Sequence, residues 1–139
     1  MTKKILLFFT ILFFAAMLFL TLFAEKIHEN SLPKVTAARP ERQLFPYEFT
    51  DENGEARTGS TEKIAVPKSM LGNGVFIIYS AEKNGTKRSF VRLAAIQTGA
   101  ENGDYVEVVS GIGFSDRIAA KSSSALYDGC EVNIVDKLV

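Results

Sequence analysis

Twenty consecutive positions, Ile5 to Ala24, carry no charge, and only Thr10 and Thr21 among them are polar. A helix of twenty residues spans about 30 Å, the thickness of a bilayer's hydrocarbon layer. A helix also satisfies its own backbone hydrogen bonds, as lipid requires. No face of this run is polar, which argues against an amphipathic helix laid on a soluble core. Lys3 and Lys4 precede it, so the positive-inside rule predicts a cytoplasmic N-terminus and an extracytoplasmic remainder. A cleaved signal peptide is the competing reading. Its apolar region runs to about 15 residues and ends in a small-x-small site. The longer run and Leu22, two residues before Ala24, favour a retained anchor over residues 1–30.

The pattern changes after Asn30. Pro33, Pro40 and Pro46 break helices, so residues 31–62 are expected to form an extended linker with short strands at Val35–Ala38 and Leu44–Thr50. In the second, Phe45, Tyr47 and Phe49 alternate. Further on, β-rich runs occupy Lys63–Val66, Val75–Ser80, Ser89–Gln97, Tyr105–Ser110, Arg117–Lys121 and Glu131–Val135. Between many of them lie dipeptides that accept positive φ: Asn53-Gly54, Asn84-Gly85, Asn102-Gly103 and Asp128-Gly129. The prediction is an all-β fold, a small barrel or sandwich with one N-terminal transmembrane helix, whose principal β-domain covers residues 63–139.

Composition narrows the function. Six of the eleven Phe lie in the apolar run, so they do not belong to a soluble core. Lys3 and Lys4 leave fourteen Lys and Arg against sixteen Asp and Glu after that run. No broad basic field for nucleic acid results. Cys130 is the only cysteine, which excludes an intramolecular disulfide and a Cys-x-x-Cys pair. His28, the only histidine, follows the apolar run and offers neither a catalytic triad nor a histidine metal site. Gly111-Ile112-Gly113-Phe114-Ser115-Asp116 starts like a dinucleotide fingerprint, but Asp116 replaces the third glycine and a strand follows, so a turn is expected. Asn84-Gly85-Thr86 matches a glycosylation acceptor and reads better as a hairpin turn. No enzyme, cofactor or metal is expected. The remaining candidates are charged. Asp51, Glu52 and Glu55 form an acidic hairpin tip. Lys83, Lys87, Arg88 and Arg92 cluster around another hairpin and are the candidate contact for a partner or for lipid headgroups.

Several segments, in order, resemble the membrane-proximal part of periplasmic adaptor subunits, the membrane fusion proteins of bacterial efflux pumps. They are Ile64–Leu71, Gly74–Tyr79, Arg88–Leu93 with Gln97-Thr98-Gly99, Tyr105–Ile112, Asp116-Arg117-Ile118 and Leu126–Val132. Leu32-Pro33-Lys34-Val35-Thr36 resembles the short strand that, in adaptors, follows the membrane anchor and joins that domain. An adaptor also carries a lipoyl-like domain and a helical hairpin between these ends. Here about 25 residues separate them, too few for a long hairpin. The resemblance implies a shortened, non-enzymatic accessory component of a transport complex, docking on an inner-membrane transporter. A free-standing, membrane-anchored extracytoplasmic binding module is the alternative. Substrate, transporter class and homo-oligomerisation stay open at this level.

Overall fold

The computed structural model describes residues 2–138. The chain divides into two compact units, one ending at Leu32 and one starting at Pro33.

The first unit is the helix α1, Thr2–Ser31, with no buried residue. It is long and apolar enough to cross a membrane. Its two interior hydroxyls are consumed by the helix itself. Thr10 Oγ1 donates to the Leu6 carbonyl at 2.9 Å, and Thr21 Oγ1 to the Met17 carbonyl at 2.8 Å. Neither therefore needs water, and both suit a hydrocarbon surrounding.

Among its described residues the second unit has nine strands. They are β1 (Lys34–Ala38), β2 (Glu41–Thr50), β3 (Ala56–Pro67), β4 (Val75–Lys83), β5 (Thr86–Ala94), β6 (Gln97–Asn102), β7 (Tyr105–Ser110), β8 (Arg117–Ser122) and β9 (Glu131–Ile134). Five close a barrel in the order β1-β8-β4-β5-β9, and four form a sheet in the order β2-β3-β7-β6. The all-β expectation with one N-terminal apolar helix holds. Residues 31–62 hold the two expected strands, lengthened, and part of a third. They contribute β1, β2 and half of β3, because Val35 and Phe45 are apolar side chains that find buried sites.

Barrel closure depends on β1. It pairs antiparallel with β8 and parallel with β9. Hydrogen bonds extend the lock past the strand: Asn133 N–H donates to the Pro33 carbonyl at 2.9 Å, and Ser123 N–H to the Lys34 carbonyl at 2.8 Å.

β4 explains the unbroken apolar run Val75-Phe76-Ile77-Ile78. All four side chains are buried. Phe76 and Ile78 face the barrel interior with Val35, Val91, Cys130 and Val132. Val75 and Ile77 face outward and meet Val66, Val106 and Val108 of the four-stranded sheet, with Ile112 and Ile118. A strand covered on both faces needs no polar alternation. Cys130 is thus a small core side chain.

The chain changes layer at Arg39–Pro40, at Lys68–Gly74, at Ala95–Ile96 and across Gly111–Asp116. The sequence predicts one strand over Ser89–Gln97, whereas the structure ends β5 at Ala94 and starts β6, a strand not foreseen, at Gln97. Gly111 supplies the reason. Its φ is +105°, and a Cβ there would collide with the Ala95 carbonyl oxygen and the Ile96 backbone. Two of the crossings therefore touch at one glycine. The second is closed by Asp116, whose Oδ2 accepts the Gly113 N–H at 2.7 Å, so the segment forms the turn expected there. Gly111→Ala is expected to destabilise the β-unit by about 2 kcal/mol or more, from positive φ and the backbone collision together. Urea titration of the variant checks it, with Gly113→Ala, which meets only the Asp116 carboxylate at 3.6 Å, as the milder comparison.

Candidate functional site

The basic hairpin is β4–β5. Asn84 at φ 54° and Gly85 at φ 77° make its two-residue turn, as the dipeptide predicts. Register then separates the four basic residues. Lys83, Arg88 and Arg92 alternate on the barrel's outer face, while Lys87, opposite Glu82, lies on the other face. Arg88 Nη1 is 2.7 Å from Glu131 Oε1, and Lys83 Nζ is 3.8 Å from Glu131 Oε2. Two of the four cations therefore converge on a carboxylate of β9 and help hold the short β5–β9 pairing. Arg92 is exposed beside Tyr79 and Phe90, whose rings stack at 5.8 Å. The cluster is thus one ion-pair node, one outward arginine and one lysine facing away, not a single patch.

A larger exposed surface comes from β2 and β3. They pair over ten positions, from Glu41 with Ala65 to Thr50 with Ala56. Of β3, only Ala65, Val66 and Pro67 pair with β7 through the backbone. The outer two-thirds is accordingly a two-stranded ribbon standing clear of the sheet. On one of its faces Phe45 is buried at the base, and Tyr47 and Phe49 follow at 49 % and 43 % exposure, their rings 5.7 Å apart. The Tyr47 ring covers Gly59, whose missing Cβ gives it room. Leu44, on the opposite face, is also exposed. Pro46 removes a donor from the free edge of β2 and discourages indiscriminate strand addition.

The ribbon's tip is organised by Asp51. Its Oδ1 accepts the N–H groups of Asn53 and Glu55 at 2.9 and 3.0 Å, and its Oδ2 sits 2.6 Å from Arg57 Nε. The Glu55 N–H above all, with Asn53 and Arg57 adding, holds the Asp51 carboxyl below its ordinary range. Glu52 and Glu55 point outward and leave the tip acidic.

A second carboxylate steadies the ribbon's root. Pairing of β6 with β7 is interrupted between Thr98 and Glu101. The Ala100 N–H freed there donates to Glu107 Oε2 at 3.0 Å, and Lys63 Nζ lies 2.9 Å from Glu107 Oε1. Gly99 leaves that carboxylate room, since a Cβ there would meet it. The Ala100 N–H, then Lys63, lower the Glu107 pKa. Tyr105 donates its hydroxyl to Glu41 at 3.2 Å, and that bond raises the phenol's pKa. Asn102 Nδ2 donates to the Leu44 carbonyl at 2.7 Å, which brings the end of β6 against β2.

A cavity of about 720 Å³ lies between the Ser69–Gly74 crossing, β8 and the loop that leads to β9. The sequence does not announce it, although its wall is a run of small side chains from Ala119 to Ala125 broken by Lys121. Among the described residues, no group of three His, Cys, Asp or Glu side chains gathers to hold a metal. The sequence motif that marks the ribbon is the Phe45-Tyr47-Phe49 alternation, but alternation alone does not reveal that the apolar face runs past the sheet.

Compared with family models, curated proteins and solved structures, the chain matches none.

Because Asp51 and Glu107 have folded pKa values below their unfolded ones, about 4, their contribution is complete above that range and is lost as pH falls through the depressed folded values. The urea midpoint is therefore expected to fall between about pH 6 and about pH 3, and Glu107→Gln to remove part of that pH dependence while lowering the midpoint near neutrality.

Proposed function

We propose that the protein is a membrane-tethered, adaptor-like accessory component of an efflux or related transport complex, docking on an inner-membrane transporter subunit without enzymatic activity of its own. Residues 5–24 hold it in the inner membrane, with the N-terminus cytoplasmic and the β-unit extracytoplasmic. One observation carries this reading. Only Leu32 and Pro33 separate α1 from β1, and β1 completes the barrel between β8 and β9. That is the relation the resemblance implies, in which a short strand after the anchor joins the C-terminal domain. Tethering confines the β-unit to the membrane surface and raises its effective concentration around membrane partners.

The β2–β3 ribbon is the docking element of this proposal. Exposed aromatic side chains are enriched at the centres of protein interfaces. Tyr47 and Phe49 supply them on a ribbon whose tip is fixed by Asp51. Arg92 and Lys83 on the barrel supply a separate, weaker contact. Lys87 faces elsewhere and Arg88 is engaged by Glu131.

Affinity purification of the full chain from detergent-solubilised membranes, followed by mass spectrometry, tests the proposal. A transporter subunit should be enriched, and a Tyr47→Ser, Phe49→Ser double variant should lower its recovery about tenfold. Absence of any transporter subunit from the purified material contradicts the docking claim.

A further inference from the structure

Two uncovered surfaces of this chain complement each other. The first is the aromatic face of the β2–β3 ribbon, where Tyr47 and Phe49 lie across from Gly59 and Arg57. Residues 46–58 carry Glu48, Asp51, Glu52 and Glu55 against Arg57 alone. Asp51 takes up Arg57 at 2.6 Å, while Glu52 and Glu55, the latter 3.9 Å from the same arginine, stay exposed. The second surface is the outer face of the β4–β5 hairpin. Tyr79 is 40 % exposed and stacks on Phe90, and Arg92 is exposed beside them. Residues 79–92 carry Lys83, Lys87, Arg88 and Arg92 against Glu82 alone, and Glu131 of β9 offsets part of that excess.

An aromatic pair on an acidic ribbon thus matches an aromatic pair on a basic hairpin. Aromatic rings gain from offset or edge-on packing against one another. A guanidinium gains from a ring face and from a carboxylate within reach. Tyr47, Phe49 and Tyr79 all remain exposed, so the two surfaces do not cover each other within one chain. Exposed ion pairs are individually weak. Copies that share a membrane through α1 meet at high effective concentration, and a modest contact then suffices.

We infer that the ribbon of one copy docks on the β4–β5 hairpin of a second copy, with Tyr47 and Phe49 against Tyr79 and Phe90, and Glu52 and Glu55 reaching Arg92. The contact joins two unlike surfaces, and every copy offers both. It uses the ribbon that the docking proposal gives to a transporter, so the two occupants compete, but it does not rest on that proposal. The test uses the full chain in isolated membranes, with a tagged and an untagged copy expressed together. Phe49 of the tagged copy is replaced by the photocrosslinker p-benzoylphenylalanine, and crosslinked peptides are mapped by mass spectrometry. A tagged–untagged dimer should form, with its crosslink in residues 75–92 of the untagged copy. Arg92→Glu in the untagged copy should lower the dimer yield about fivefold. Adding Glu52→Lys and Glu55→Lys to the tagged copy should restore about half of it, which a misfolded variant could not do. Absence of the dimer, including crosslinks to lipid or to a transporter subunit alone, overturns the inference. So does a crosslink that maps to a second ribbon or to α1, or a yield that Arg92→Glu leaves unaltered. Absence of a transporter subunit from the purified material leaves this dimer in place, so the two proposals fail separately.

Discussion

Closure of the barrel by β1 is the constraint on which the rest of this molecule depends. Without it, β8 and β9 are two free edges, and a short barrel of five strands becomes an open sheet whose interior Phe76, Ile78 and Val91 meet water. The same strand begins two residues after an apolar helix of thirty residues. One segment therefore completes the β core and carries the covalent link to the apolar helix.

The second structural device is the sharing of β4. One strand feeds two cores, its even positions lining the barrel and its odd positions meeting the four-stranded sheet. Burying four consecutive apolar side chains in this way lets a unit of just over one hundred residues hold two β layers together. It also concentrates risk. Truncating Ile77 or Ile78 opens a cavity in one layer or the other, a change that costs about 2–5 kcal/mol in well-packed cores.

Much of this was legible in the residues, and the exceptions have physical causes. Period-two patterns and Gly-containing dipeptides mark local events, so β2, β4, β7 and the Asn84-Gly85 turn stand out. The strand β6 does not, because Gly99 and the interrupted pairing erase its alternation, and its stability comes from Glu107, a residue of the neighbouring strand. Membership of β1 in the barrel is a long-range fact. Val35 meets Ser122 and Ile134, almost a hundred residues away, and no local pattern encodes that pairing. The basic cluster illustrates the reverse error. Lys83, Lys87, Arg88 and Arg92 are neighbours in sequence, yet the pleat places Lys87 on the other face, and Glu131 from a distant strand engages two of the rest. The cavity at Lys121 escapes sequence entirely, since an empty volume is set by three segments meeting in space.

Hydrogen exchange on the full chain in detergent, resolved by peptide mass spectrometry, addresses barrel closure most directly. Residues 34–38 should exchange as slowly as residues 75–78 of β4, both opening only with the whole β-unit, while the ribbon tip at residues 52–55 exchanges fast. If residues 34–38 exchange as fast as that tip, β1 is a tether and not a stave of the barrel, and the account fails at its base.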